Sequence, residues 1–184
     1  MKQNVHLTRN IPIHKVDSIF VALICPEVVH VADIGATIAN FRKLFPQVMF
    51  QGVNPNHIFG KRHIFEVIKI ALEANKREFK IAKRLEMELL LRLICCNQVD
   101  KAIAIGGIKN NNAGCFVVLS NRKQSINESV KHLSRMFVNQ NSSLLNATKQ
   151  KMINICRLME FSRSDFSSKE FLGILTEKAA LVSL

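Results

Sequence analysis

The stretch GKRHIFEVIKIALEANKREFKIAKRLEMELLLRLICCNQVDKAIAIGGIK, residues 60–109, decides how this chain is read. In its first part Ile64, Val67, Ile68, Ala71, Leu72 and Ala74 recur three or four apart, which predicts an amphipathic helix with one buried stripe. Arg62, Glu66, Lys69, Glu73 and Lys76 alternate in sign on the other side, and such pairs add about 0.2–0.5 kcal/mol each. The sequel differs. Lys76, Arg77, Lys80, Lys83 and Arg84 face one acid, Glu78, so positive charge is left over. KIAKRLEMELLLRL, residues 80–93, reads as a second helix, and if the basic run is helical, Arg77, Lys80 and Arg84 share a face. From Leu85 to Ile94 the chain is apolar almost all round, with Glu88 and Arg92 at the i,i+4 spacing of a pair. A short helix through Val99, Ala102 and Ile103 then ends at Gly106-Gly107, where glycine is expected to take the left-handed conformation. Asn110 to Gly114 reads as a turn and Cys115 to Leu119 as a buried strand.

Outward from this stretch the same rules apply. Asp17 to Cys25 is a strand stopped by Pro26, and Val28 to Leu44 carries Val31, Ile34, Ile38 and Phe41 at helical spacing. Val48 to Val53 is another strand, leaving through the Asn54-Pro55-Asn56 turn. Ser125 with Glu128 offers a capping box for a helix carrying Ile126, Val130, Leu133 and Phe137. A further helix spans Thr148 to Met159, and Ser167 with Glu170 is a second capping box, opening a helix with Phe171, Leu172, Ile174 and Leu175. No internal repeat and no long linker interrupts the 184 residues. The expectation is one α+β domain spanning 1–184, a small, mostly antiparallel sheet covered by helices.

With 48% hydrophobic residues the chain can fill a sizeable core, yet no run reaches the roughly 18 apolar residues of a membrane span. MKQNVHLTRN lacks the apolar centre of a signal peptide, so a cytoplasmic protein is expected, also nuclear in a eukaryote, with no membrane partner. Cys25, Cys95, Cys96, Cys115 and Cys156 show no Cys-x-x-Cys spacing and read as small core residues in a reducing compartment; with His57 or His63 they do not announce a metal site. A formal charge of +12 points to an acidic partner, RNA rather than a membrane. Trp and Tyr are absent, which leaves Phe, His or Arg for stacking on bases.

The order of residues in 60–109 resembles the kinase-binding subunit of the KEOPS (EKC) complex, the PRPK-binding protein family of archaea, fungi and animals. The family's Gly-x-x-His-Leu helix start is met by Gly60, His63 and Ile64, and its Ile-Ala then Glu-Leu-Leu by Ile81, Ala82, Glu88, Leu89 and Leu90. A Gln-Ile pair is met by Gln98-Val99, and Ala-x-x-x-Gly-Val-Lys is approximated by Ala102, Gly107, Ile108 and Lys109, with one residue more between the Ala and the Gly. The ending EKAALVSL is similar to the family's short apolar tail. Where archaeal members favour a Ser-Gly pair and an Arg ahead of the Gln, this chain has Ile94, Cys95 and Asn97. The resemblance implies a noncatalytic subunit that binds a small PRPK-type kinase and meets other KEOPS subunits through it. It further implies support of threonylcarbamoyl adenosine formation beside the tRNA anticodon, with the tRNA acceptor end held by this subunit in archaeal relatives.

Chemistry of its own is not written in the chain. Gly60-Lys61 lacks the upstream glycine and the following Ser or Thr of a phosphate loop, and no spacing among His63, Glu86, Glu88 and Cys95 sets a nucleophile beside a base. No catalytic residue, cofactor or metal is expected. The expected nucleic-acid surface is Lys61, Arg62, His63, Lys76, Arg77, Lys80, Lys83 and Arg84; His63, in the first turn of its helix, either contacts phosphate or hydrogen-bonds locally. Leu172, Leu175, Ala179, Leu181 and Leu184 either dock the kinase or seal the chain's own core, and docking is the expectation taken forward. The alternative class is a stand-alone basic RNA-binding module without a kinase partner.

Overall fold

A computed structural model describes residues 11–183; the MKQNVHLTRN segment and Leu184 lie outside the described residues. The architecture is α+β, as the sequence predicts. β1 (Ile13–Val16) and β2 (Ile19–Ile24) form a hairpin, and β3 (Met49–Val53) and β4 (Cys115–Ser120) complete an antiparallel sheet of order β1-β2-β4-β3. Around it lie α1 (Ile34–Leu44), α2 (Gly60–Lys76), α3 (Leu85–Ile94), α4 (Val99–Gly106), α5 (Lys123–Met136), α6 (Lys149–Leu158) and α7 (Ser168–Leu181).

Because strand side chains alternate in direction, β4 sends Cys115, Val117 and Leu119 to one face and Phe116 and Val118 to the other. The first face meets Ile64, Val67 and Ile68 of α2 and Leu89, Leu90 and Leu93 of α3. The second meets Phe41 of α1 and Ile126, Val130 and Leu133 of α5. There Phe50 stacks on Phe116 at 4.9 Å and Phe116 on Phe137 at 4.8 Å. α6 and α7 add a third cluster in which Phe59, Met152, Ile155, Phe171 and Leu175 are buried.

Six local expectations are corrected. β1 is a strand the pattern did not reveal, and Asp17, expected to begin a strand, instead sits at φ 50° in the hairpin turn. Helix α1 starts at Ile34, capped by Asp33, whose carboxylate accepts the Ala36 N–H. The preceding Val29 and Val31 are held by the Asn110–Asn112 turn. Helix α5 begins at Lys123, before Ser125, which caps nothing; Glu128 instead accepts from Gln124. Residues 80–84 are not helical. Gly107 ends α4 in extended backbone, and its glycine is needed for close approach, since a Cβ would lie 2.4 Å from the Ile103 carbonyl oxygen. A left-handed helix end occurs instead one helix earlier, at Cys95, with φ 51° after α3. Thr148, expected within a helix, caps α6 instead, and the capping box of Ser167 with Glu170 forms as expected.

Candidate functional site

α3 carries its polar pair into the core. Glu88 is fully buried and Arg92 nearly so, and the Arg92 Nε donates to Glu88 Oε1 at 2.8 Å. The other carboxylate oxygen, Oε2, accepts the N–H groups of Ile81 and Ala82, both at 2.8 Å. Arg92 Nη1 donates to the carbonyl of Ala179 at 2.8 Å and Nη2 to the Ser183 hydroxyl at 3.3 Å. One ion pair therefore fixes the turn after α2 and the end of α7 together. A desolvated pair persists only when its remaining hydrogen-bonding capacity is met, and here backbone groups and the Ser183 hydroxyl meet it.

That turn is the basic run of the sequence. Lys76 ends α2, Arg77 caps it, and Glu78 is left-handed at φ 61°. With residues 80–84 irregular, the expected shared helical face of Arg77, Lys80 and Arg84 does not exist, because Glu88 has taken the amides a helix would need. Arg77 pairs with Glu73, and Lys80 donates to Asn75 Oδ1 at 3.0 Å. Lys83 and Arg84 are exposed without an ion pair among the described residues. Phe79, which the sequence reading passed over, stands 66% exposed in the middle of these cations. A single aromatic in a charged run was the available signal.

Lys61 and Arg62 are exposed at the start of α2, but His63 is not. Its ring is fully buried, and Nδ1 accepts the N–H of Phe59, the residue that caps the helix, at 3.2 Å. Burial pulls its pKa down to about 4, so the ring is neutral and shielded from any phosphate, and His63 drops out of the expected set of nucleic-acid contacts. Gly60 beside it has φ +85°, a conformation glycine adopts without strain. The helix start thus uses one residue for backbone freedom and one to satisfy an amide.

The C-terminal expectation is corrected in part. Leu175 and Ala179 are fully buried and belong to the domain's own core, because α7 packs on α2 and α3 through that stripe. Leu181 is 51% exposed and Leu172 half-buried. Leu172 lines an open, mostly apolar groove of about 890 Å³ between α2 and α7, together with Phe59, Ile70, Gly173, Thr176 and Ala180. Gly173 is open to solvent there, with nothing within 4 Å of where its Cβ would be. Lys61, Arg62 and Glu66 line the same groove.

The turn between α3 and α4 borders a second, polar cavity of about 360 Å³, lined by Asn97, Gln98, Lys101 and Lys178. Cys95 also lines it, with its thiol pKa raised to about 11 by burial. Among the described residues no three His, Cys, Asp or Glu side chains converge as a metal site, and no helix is long and apolar enough to cross a membrane. The sequence matches no protein-family model and no curated protein.

Proposed function

We propose that this chain is the noncatalytic kinase-binding subunit of a KEOPS-type complex, in which it binds a small PRPK-type kinase and helps present tRNA for threonylcarbamoyl adenosine formation. The observation that carries this reading is the contact of Glu88 with the amides of Ile81 and Ala82. These three residues match the family's Ile-Ala and Glu-Leu-Leu, and the physics here needs an acceptor at that spacing from a non-helical pair. Gly60 and His63 support it in the same way, as the left-handed residue and the amide acceptor of the helix start. So does Cys95, which is left-handed where archaeal members favour glycine.

Kinase docking belongs to the groove between α2 and α7 rather than to the whole C-terminal stripe. Leu172→Glu and Gly173→Trp should each weaken binding of the PRPK-type kinase at least about tenfold, since each puts charge or bulk on the apolar groove. Both positions are outside the core, so the thermal midpoint should stay near wild type. Wild-type affinity in both variants would exclude the groove, and a wild-type chain that captures no such kinase would remove the family reading.

The second component, RNA binding, is favoured by Phe79 among its cations, an arrangement suited to stacking a base while Lys80, Lys83 and Arg84 meet phosphates. Lys80→Glu with Arg84→Glu should weaken tRNA binding strongly. The wild-type logarithmic salt slope should correspond to about three to five neutralised phosphates. Phe79→Ala should cost about 1–3 kcal/mol of RNA affinity without altering that slope. If tRNA binding persists in variants that no longer hold the kinase, the two surfaces are separate; if there is RNA binding and never a kinase, the stand-alone module is the better account.

A further inference from the structure

Two of the five cysteines face each other across the sheet. In the β2–β4 register Ile24 lies opposite Phe116, so the next residues, Cys25 and Cys115, are opposite as well. The Gly114 N–H donates to the Pro26 carbonyl at 3.1 Å, which makes that neighbouring pair the hydrogen-bonded one. Cys25 instead gives its N–H to Gln140 Oε1 at 2.7 Å and accepts the Asn141 N–H at 2.8 Å. Cys25 and Cys115 therefore form a non-hydrogen-bonded antiparallel pair, the kind whose Cα atoms approach to about 4.5 Å and whose side chains are closest. A disulfide spans Cα separations of about 4.4–6.8 Å, so a pair of this kind lies within bonding reach.

The surroundings distinguish the two thiols. Cys25 lines a cavity of about 140 Å³ with Leu23, His14, Gln140 and Leu145, and exposed Pro12, Lys61 and Ser142 form its outer wall. Cys115 is fully buried and does not line it. Lys151 stands behind, its ammonium donating to the carbonyls of Ile58 and Leu144. The Cys115 thiol, hydrogen-bonded to Cys25, lowers the Cys25 pKa, and Lys61 and Lys151 act in the same sense against burial. The Cys115 pKa is raised by that same hydrogen bond and by burial.

We propose that Cys25 and Cys115 are a redox modification site, with Cys25 the attacking thiolate in the cavity, Cys115 the resolving thiol beneath it, and hydrogen peroxide the oxidant. The Cys25 thiolate attacks one peroxide oxygen, the O–O bond breaks, and with a proton taken up the products are a sulfenic acid and water. The Cys115 thiol then attacks that sulfur, giving up its proton as the S–O bond breaks, so that a disulfide forms and a second water leaves. Two thiols are oxidised and one peroxide is reduced to two waters. Nothing else in the chain offers this arrangement among the described residues: Cys95 and Cys96 are adjacent in sequence, Cys95 has its thiol held protonated by burial, and Cys156 lies in the α6–α7 cluster.

The test uses the reduced full-length chain, treated with a small excess of hydrogen peroxide and mapped by non-reducing peptide mass spectrometry. The wild type should lose two of its five thiols and two hydrogens in mass, with Cys25 linked to Cys115, about tenfold faster than Cys156 is modified. In Cys115→Ser the reaction should stop at a sulfenic acid on Cys25, trapped as its dimedone adduct. A bond joining Cys95 to Cys96, or free Cys25 and Cys115 when Cys156 is already oxidised, would overturn the proposal. Should Cys115→Ser fail to fold, the wild-type peptide map alone decides between these outcomes.

Discussion

On the α1–α5 side of the sheet the core is aromatic: Phe41, Phe50, Phe116 and Phe137 are buried against one another, and among the described residues no charged side chain belongs to that cluster. On the α2–α3 side and the α6–α7 cluster beside it, His63, Glu88, Arg92 and Lys151 are all buried. Glu86 lies at the boundary and reaches Arg42 of α1 at 3.2 Å. The four deep groups share one job. His63 accepts from Phe59, Glu88 from Ile81 and Ala82, Arg92 donates to Ala179, and Lys151 donates to Ile58 and Leu144, so each satisfies backbone that no helix or strand pairs. The aromatic side supports regular structure and needs only volume. The other side supports turns and helix ends, where an unmet backbone group costs about 1–3 kcal/mol, and it is there that the exposed cations and the α2–α7 groove are displayed.

The comparison is tested most severely by unpairing α3. Arg92→Met should cost about 3–5 kcal/mol, because Glu88 stays buried without its cation. Hydrogen exchange should then accelerate at the Ile81 and Ala82 amides more than the loss of global stability explains. On the aromatic face Phe50→Leu should cost roughly 1–2 kcal/mol and leave those two amides changed only in step with global stability. Equal behaviour of the two variants at these amides would erase the distinction.

Acid should attack the braced side next. His63 stays neutral in the folded chain down to about pH 4, while in the unfolded chain it takes a proton near its ordinary value of about 6.5. The unfolded state binds more protons between those values, so the contribution of His63 is complete above pH 6.5 and drains away as pH falls toward 4. It amounts to about 3 kcal/mol. Urea titrations across this window should show a shallower acid loss for His63→Leu than for wild type; parallel curves would mean the ring is not held neutral by the fold.

The smallest effects should differ in sign. Gly60→Ala forces a side chain onto φ +85° and should cost about 1–2 kcal/mol. Gly173→Ala meets open space inside α7 and should stabilise by about 0.5–1 kcal/mol. Thermal midpoints moving apart in these directions separate a glycine that the backbone requires from one that it merely tolerates.

Periodicity found what burial on one face makes periodic: β2, β3 and β4, the stripe of α2, and α6 and α7, the last with its capping box. It missed β1, whose Ile-His-Lys-Val is four residues long and buried only at Val16. It carried α3 too far back, because apolar Ile81 and Ala82 fit a helical pattern while the residue that removes their amides lies six or seven positions ahead. In the site, the i,i+4 pair on α3 was legible, but not that Arg92 would reach Ala179, 87 residues away. Leu172 and Leu175 look alike in the sequence, and only the packing of α7 against α2 and α3 tells groove from core.

The glycines that end α4 have a further effect on the sheet. Asn54 donates its N–H to the Gly106 carbonyl at 2.8 Å, and Val53 is bridged to Gly107, so the chain's own backbone covers the Val53 end of the outer rim of β3. An apolar rim left bare is a template for a strand from another molecule. The opposite rim, β1, is short and carries His14 and Lys15, which discourages the same event. Fewer strand-edge positions are therefore open to a second copy, and the formal charge of +12 makes copies repel one another.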